Sequence, residues 1–430
     1  MLVGMDEKGT EEIERRYAEA RDRYAAEMGV DCDRALAVLA RIPLSIHCWQ
    51  GDDVGGFERA GATLEGGGLA VTGNYPGRAR NPGELRGDLE KALALIPGPH
   101  RVNLHAMYGE FGGRSVDRDA IEPAHFAGWI DWAKGHSWGL DFNATCFSHP
   151  KAADGFTLSH TDPGVRAFWV EHVRRCRTIG AQMGRALGTA CVHNLWIPDG
   201  SKDHPVDRWQ RRGLLRESLD AIYAERHDAG CLKDSIEGKL FGIGSEAFVV
   251  GSHEFYLAYA VRNGLMPCLD LGHYHPTESV SDKLSAVLLF CPEVLLHLSR
   301  GVRWDSDHVV VLNDEVRSLM EEIARAGAFD RVHLGLDYFD ASLNRVGAWV
   351  TGARAARKAL LLALLEPTGR LREMEAAGDA FGRLALIEEA KQMPFGAVWD
   401  RHCAASGVPA GQEWIPVIRD YEREVQSRRK

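Results

Sequence analysis

Eight short apolar runs, each followed by a longer amphipathic stretch, constrain the fold of this chain more than any other feature. They are PLSIHCW (43–49), RVNLHAMY (101–108), GLDFNATCF (139–147), TACVHNLWI (189–197), LKDSIEG (232–238), MPCLDLGH (266–273), VLLHLS (294–299) and RVHLGLDYF (331–339). Between them, segments such as VRAFWVEHVRRCRTIGAQMG and EVRSLMEEIARAG repeat apolar residues at three and four, the helical period. Such alternation predicts parallel strands covered by helices, and eight strands close a (β/α)8 TIM barrel. LFGIG (240–244) competes for the fifth strand, but that choice would send Glu237 and Lys239 to the barrel's bottom. The earlier run leaves both at the carboxyl end, and it is preferred here.

The α/β barrel is expected over residues 42–366, with an N-terminal helical segment at 1–41 and a C-terminal helical extension at 367–430 that suits oligomer contacts. The opening MLVGMDEKGTEEIERRYAEARDRY reads as a charged surface helix. Residues 50–82 form a long Gly-rich connection after the first strand, a length that indicates a functional lid. The formal net charge of −10 comes without a basic cluster, which argues against nucleic acid and for a small neutral ligand. No apolar run is long enough to span a bilayer and no signal peptide is evident, so a cytoplasmic protein is expected. The nine scattered cysteines include no CxxC pair, consistent with reduced, buried thiols.

Polar and aromatic side chains gather at the ends of the apolar runs: Trp49, His105, Phe147, Trp196, Glu237, Lys239, Asp270, His273, His297, Asp305, Asp307 and Asp337. A closed barrel brings all its strand ends to one face, where such enzymes do chemistry. Any one of these residues could be a capping carboxylate or a core aromatic; their coincidence points to a site. Five carboxylates at one mouth must raise one another's pKa or recruit a cation. With His273 and His297 the set suits Mn2+, Mg2+ or Co2+ better than a structural thiolate zinc. Seven ligands are too many for one octahedral ion, so two ions sharing a carboxylate are expected. In GVRWDSDHVVVL (301–312), an extended chain would turn Asp305 and Asp307 to the same side. Lys239 reads either as a barrel-mouth salt bridge or as a substrate contact. His253, His275 and His308 read as structural or supporting groups.

HCWQGDDVGGFE (47–58), GNYPGRARN (73–81), LDFNATCFSHP (140–150), KLFGIGSEAF (239–248), CLDLGHYHPTE (268–278), RWDSDHVV (303–310) and GLDYFDASLNR (335–345) together resemble the L-rhamnose isomerase family. The resemblance implies a metal-dependent barrel, a homotetramer, that interconverts L-rhamnose and L-rhamnulose. It implies two divalent ions per subunit, Mn2+ foremost, with Co2+, Zn2+ or Mg2+ as alternatives. Glu237, Asp270, His297 and Asp337 are then ligands of a structural metal. His273, Asp305 and Asp307, with Asp270 bridging, hold a catalytic one. Lys239, His105 and Trp196 contact the sugar, and Trp49 and Phe147 form an apolar wall. Asp305, Asp307, Lys239, Asp337 and His105 carry the catalytic roles, with a hydride shift between C1 and C2 favoured over an enediol route. The rivals are an isomerase of another aldose, a metal-dependent phosphoester hydrolase and a non-catalytic sugar-binding protein.

Overall fold

The computed structural model describes residues 7–58, 71–242, 244–302 and 305–429. Eight parallel strands close a barrel: β1 (Leu44–His47), β2 (His100–His105), β3 (Gly139–Asn143), β4 (Cys191–Leu195), β5 (Leu232–Glu237), β6 (Met266–Asp270), β7 (Val294–Leu298) and β8 (Val332–Leu336). Each pairs with its neighbours in sequence, and β1 closes the ring by pairing with both β2 and β8. The fifth strand is the LKDSIE run, and Lys239 follows it at the carboxyl end.

Period-2 alternation divides each strand between two environments. On β7, Val294, Leu296 and Leu298 face the large hydrophobic layer beneath the helices. Leu295 points into the barrel, where it packs with Val192, Met266 and Cys268. That interior cluster floors the mouth. One step further along the same inward faces stand Asn194, Asp270 and His297, with Asp270 and His297 paired in register.

Helix starts are capped by side chains that satisfy otherwise orphaned amides: Asn81 accepts from Glu84 N, Asp162 from Gly164 N and Asn313 from Val316 N. Gly188, Gly264 and Gly327 end three helices in the left-handed conformation that glycine tolerates. The helix Arg345–Leu364 is almost wholly buried, since the helices Cys32–Leu39, Phe395–Ala405 and Trp414–Glu424 pack on it in addition to its neighbours in the barrel shell. The tail is four helices, and Gly378 (φ +74°) separates the first two, Thr368–Ala376 and Ala380–Ala390.

The N-terminal helix Glu7–Arg23 is not simply a surface helix. It buries Ile13, Tyr17 and Ala20 and packs on the tail helix Phe395–Ala405, with Arg401 Nε 2.9 Å from Glu14 Oε1. The long connection after β1 is fastened at both ends. Arg345, 2% exposed, grips Asp53 through two contacts of 2.7 and 2.8 Å and donates to the carbonyls of Tyr75 and Pro76. Tyr75 also donates to Glu422 of the tail. Residues 59–70, the middle of the expected lid, lie outside the described residues.

Several strands stop earlier than their apolar runs. β1 gives way to a 3-10 turn at Cys48–Gly51 and β2 to another at Ala106–Tyr108, while β3 ends at Asn143. Beyond these points Trp49 and Phe147 line a cavity instead of a sheet face.

Candidate active site

The cavity, about 230 Å³, opens at the carboxyl end of the barrel and is lined by eleven of the twelve side chains named from the sequence; Asp270 sits just beneath it. One side is an aromatic arc. Trp49 lies 4.8 Å from His105, His105 5.5 Å from Phe147 and Phe147 5.9 Å from Trp196, all edge to face. Lys239 Nζ closes the arc 4.6 Å from the Trp196 ring, a cation–π contact.

The opposite side is the polar cage. Ligand atoms of Glu237, Asp270, His297 and Asp337 all lie within 4.8 Å of one another. His297 Nδ1 is 3.1 Å from Asp337 Oδ2, 3.4 Å from Glu237 Oε2 and 3.7 Å from Asp270 Oδ2. Register accounts for part of the convergence: Asp270 and His297 are paired across β6 and β7, Glu237 ends β5 opposite Cys268, and Asp337 stands two residues past Gly335, the β8 partner of His297.

A second group adjoins the cage. His273 Nε2 is 3.2 Å from Asp305 Oδ2, while its Nδ1 is 2.9 Å from the Gly238 carbonyl and 3.1 Å from Glu237 Oε1. An Nδ1–H donated to that carbonyl fixes the ring so that Nε2 points at Asp305, the usual orientation of a metal-binding imidazole. Gly272 gives Asp305 its space, since a Cβ there would come within 2.8 Å of Oδ1.

Asp305 and Asp307 do not converge along an extended strand. Arg300 and His308 exchange hydrogen bonds of 3.2 Å as an antiparallel bridge, so the intervening segment turns back on itself. Asp307 has φ +42°, a left-handed conformation uncommon outside glycine. A chain reversal closed by that bridge, not strand alternation, brings both carboxylates to the mouth. Arg303 and Trp304 lie outside the described residues.

Electrostatics follow from the crowding. Burial, reinforced by the charges of Glu237 and Asp337, pushes the Asp270 carboxyl up to about 7. Enclosure and the charges of Asp305, Asp337 and Asp270 push Asp307 well above the carboxylate range. Burial alone would lower His273 and His297. Their neighbouring anions outweigh it, chiefly Asp305 and Asp270 for His273 and Glu237 and Asp337 for His297, and hold both well above the usual imidazole range. Burial also lowers Lys239, against the pull of Asp305, Asp307 and Glu237, and takes His105 down to about 3, so that ring is neutral.

The donor set fits a divalent cation. Among the described residues, Glu237 Oε1, Asp270 Oδ2, Asp305 Oδ1 and both ring nitrogens of His297 are buried without a hydrogen-bond partner. Buried groups of this kind are ordinarily satisfied, and oxygen-rich sets with imidazole suit Mn2+, Mg2+ or Co2+.

Three polar residues at the site escaped sequence reasoning. Asn194 donates to Glu237 Oε2 at 2.5 Å, Ser299 donates to Asp270 Oδ1 at 2.9 Å, and Asn143 lines the cavity. The available signal was a polar residue on the inward phase of an apolar run. His308 also lines the cavity, closer to the chemistry than its supporting role suggested.

The family model for L-rhamnose isomerase (RhaA) matches residues 11–429. A Rhodopirellula baltica protein named L-rhamnose isomerase is 57% identical over 417 residues, covering 97% of each chain. Proteins of that name from Escherichia coli O9:H4 and Salmonella newport are each 54% identical over 420 residues, 98% of this chain and 100% of theirs. A match of this length and identity, over a barrel whose mouth carries this cage, places the chain in the L-rhamnose isomerase family.

Proposed function

We propose that this chain is an aldose-ketose isomerase interconverting L-rhamnose and L-rhamnulose, with two divalent cations per subunit, Mn2+ foremost. The observation that carries the reading is the four-residue cage of Glu237, Asp270, His297 and Asp337 facing an aromatic arc in one cavity. The relatives named above support the choice of sugar. Glu237, Asp270, His297 and Asp337 would hold one cation; His273, Asp305 and Asp307, sharing Asp270, would hold the other. Cations held there supply Lewis acidity to the oxygens of the bound sugar.

The chain's own residues do the rest. Lys239, 4% exposed and braced on Trp196, places an ammonium where it stabilises negative charge developing on the carbonyl oxygen. His105, held neutral, exchanges a hydrogen bond with a sugar oxygen during ring opening. Trp49 and Phe147 exclude water and give a deoxy-sugar methyl an apolar surface. Asp305 and Asp307 orient the hydroxyl proton that leaves the C2 oxygen. With the carboxylates assigned to cations, a hydride shift from C2 to C1 is the route this site serves best, because an enediol needs a free base at the C2 hydrogen.

The same reading includes a cytoplasmic homotetramer. Phe381 and Leu384 on the tail helix Ala380–Ala390 and Trp209 on the barrel's helical shell are exposed apolar side chains suited to subunit contacts. Its nine cysteines are all unpaired, and among the described residues no helix is long and apolar enough to cross a membrane.

The test is to assay ketose formation by purified, Mn2+-loaded protein on a panel of aldoses. Turnover highest on L-rhamnose is expected. Preference for another aldose would change the substrate, and absence of ketose from every sugar would overturn the isomerase reading.

A further inference from the structure

Cys268 stands two residues before Asp270 on β6, so strand alternation points both into the barrel, the thiol one layer deeper. It belongs to the apolar cluster that floors the mouth. Its sulfur also lies within 4.8 Å of a ligand atom from Glu237 and another from His297, which are equally close to each other. These two residues are members of the oxygen-rich cage as well. They are therefore shared between two donor sets stacked along the barrel axis. Glu237 and His297 are 3% and 1% exposed, and Glu237 Oε1 and both His297 nitrogens have no hydrogen-bond partner among the described residues.

We propose that Cys268, Glu237 and His297 form a deeper, alternative seat for soft divalent cations of the cadmium and zinc class, in competition with the Asp270–Asp337 side of the cage. The argument is one of ligand softness. Thiolate favours Cd2+ and Zn2+, whereas carboxylate favours Mn2+ and Mg2+. An ion bound to the sulfur draws Glu237 and His297 downward and leaves Asp270 and Asp337 without their shared partners. Cadmium held there is then an inhibitor that occupies the protein in the wrong place. As the sulfur–metal bond forms, the S–H bond breaks and its proton passes to solvent; no electrons change hands.

This inference rests on reading Glu237 and His297 as metal ligands, so the test follows two ions in parallel. Metal-stripped full-length protein is titrated with Cd2+, read by the ultraviolet sulfur-to-cadmium charge-transfer band, and separately with Mn2+. The wild type should develop the band. Cys268→Ala should lose it and bind Cd2+ about tenfold or more weakly, with Mn2+ affinity changed by less than about threefold. Cys231→Ala, which removes the half-exposed thiol, should keep the band. Should Cys268→Ala fail to fold, cadmium NMR of the wild type reports sulfur ligation directly. A band of full strength in Cys268→Ala, or Mn2+ binding without any sulfur signal from Cd2+, overturns the deeper seat alone. Failure of both ions to bind overturns the cage reading together with it.

Discussion

Trp49 donates its indole N–H to Asp337, Nε1 to Oδ1 at 3.1 Å, joining the aromatic arc that follows β1 to the carboxylate that follows β8. The same carboxylate presents its other oxygen to His297 Nδ1 at 3.1 Å. The wall and the cage thus meet at one carboxylate, which accepts a hydrogen bond from the wall and makes a close ionic contact with the cage. Trp49→Phe keeps most of the ring and removes the donor to a charged acceptor, an interaction worth about 1.5–3 kcal/mol. We expect kcat/KM to fall about tenfold or more and cation affinity to weaken less, both measurable by steady-state kinetics and calorimetry. Unchanged kinetics would separate the wall from the cage.

Asp307→Asn removes one member of a crowded anionic group. Because Asp305, Asp337 and Asp270 oppose its ionisation, the metal-free variant should melt at the same temperature as wild type or above it. Its turnover should drop by about two orders of magnitude, with a smaller thermal gain from Mn2+. Global unfolding of the variant would count against the placement of Asp307 at the functional face.

Cation binding should release protons. In the metal-free protein the anions around His273 and His297 hold both rings above the ordinary imidazole range, so the protonated forms prevail near neutrality. A cation needs the neutral ring, so proton and metal compete: affinity rises with pH, and falls as pH drops and these rings stay charged. Calorimetric titration with Mn2+ in buffers of different ionisation enthalpy measures the count. A pH-independent affinity would contradict it.

Arg345 bears on the connection after β1. Arg345→Met leaves Asp53 a half-buried, uncompensated charge and frees the carbonyls of Tyr75 and Pro76, at a cost of about 3 kcal/mol, the lower end for a broken buried pair. KM for the sugar should rise because Asp53 adjoins Val54, which lines the cavity. Pairing it with Asp53→Asn should restore part of the stability by removing the stranded charge. Asn also tolerates the φ of +59° found there. Chemical denaturation of the three variants gives the comparison.

Turnover in D2O distinguishes the chemical routes. A hydride shift predicts little solvent deuterium in the ketose and transfer of label from C2 to C1 of the substrate. Incorporation approaching one deuterium per turnover would favour an enediol and make Asp337 the leading base.

The eight-strand order and the convergence of distant residues on one mouth were legible because both follow from periodicity. A strand that alternates faces and a barrel that aligns strand ends leave little freedom to Glu237, Asp270 and His297. Asn194 and Ser299 were not legible, since a lone polar residue in an apolar run has the same sequence signature whether it orients a carboxylate or binds backbone.

What the sequence alone determined is the part governed by local repetition: strand count, strand phase and the side of the barrel on which each acidic residue falls. Tertiary structure decided everything that depends on close approach between segments remote along the chain. It set the turn that folds Asp305 and Asp307 back through the Arg300–His308 bridge, where local reasoning predicts an extended segment. It buried one face of the N-terminal helix against Phe395–Ala405 and tied the start of the β1 connection to Arg345, nearly 300 residues away in sequence. Such contacts arise from packing and desolvation summed over many partners, and no periodicity within a single segment encodes them.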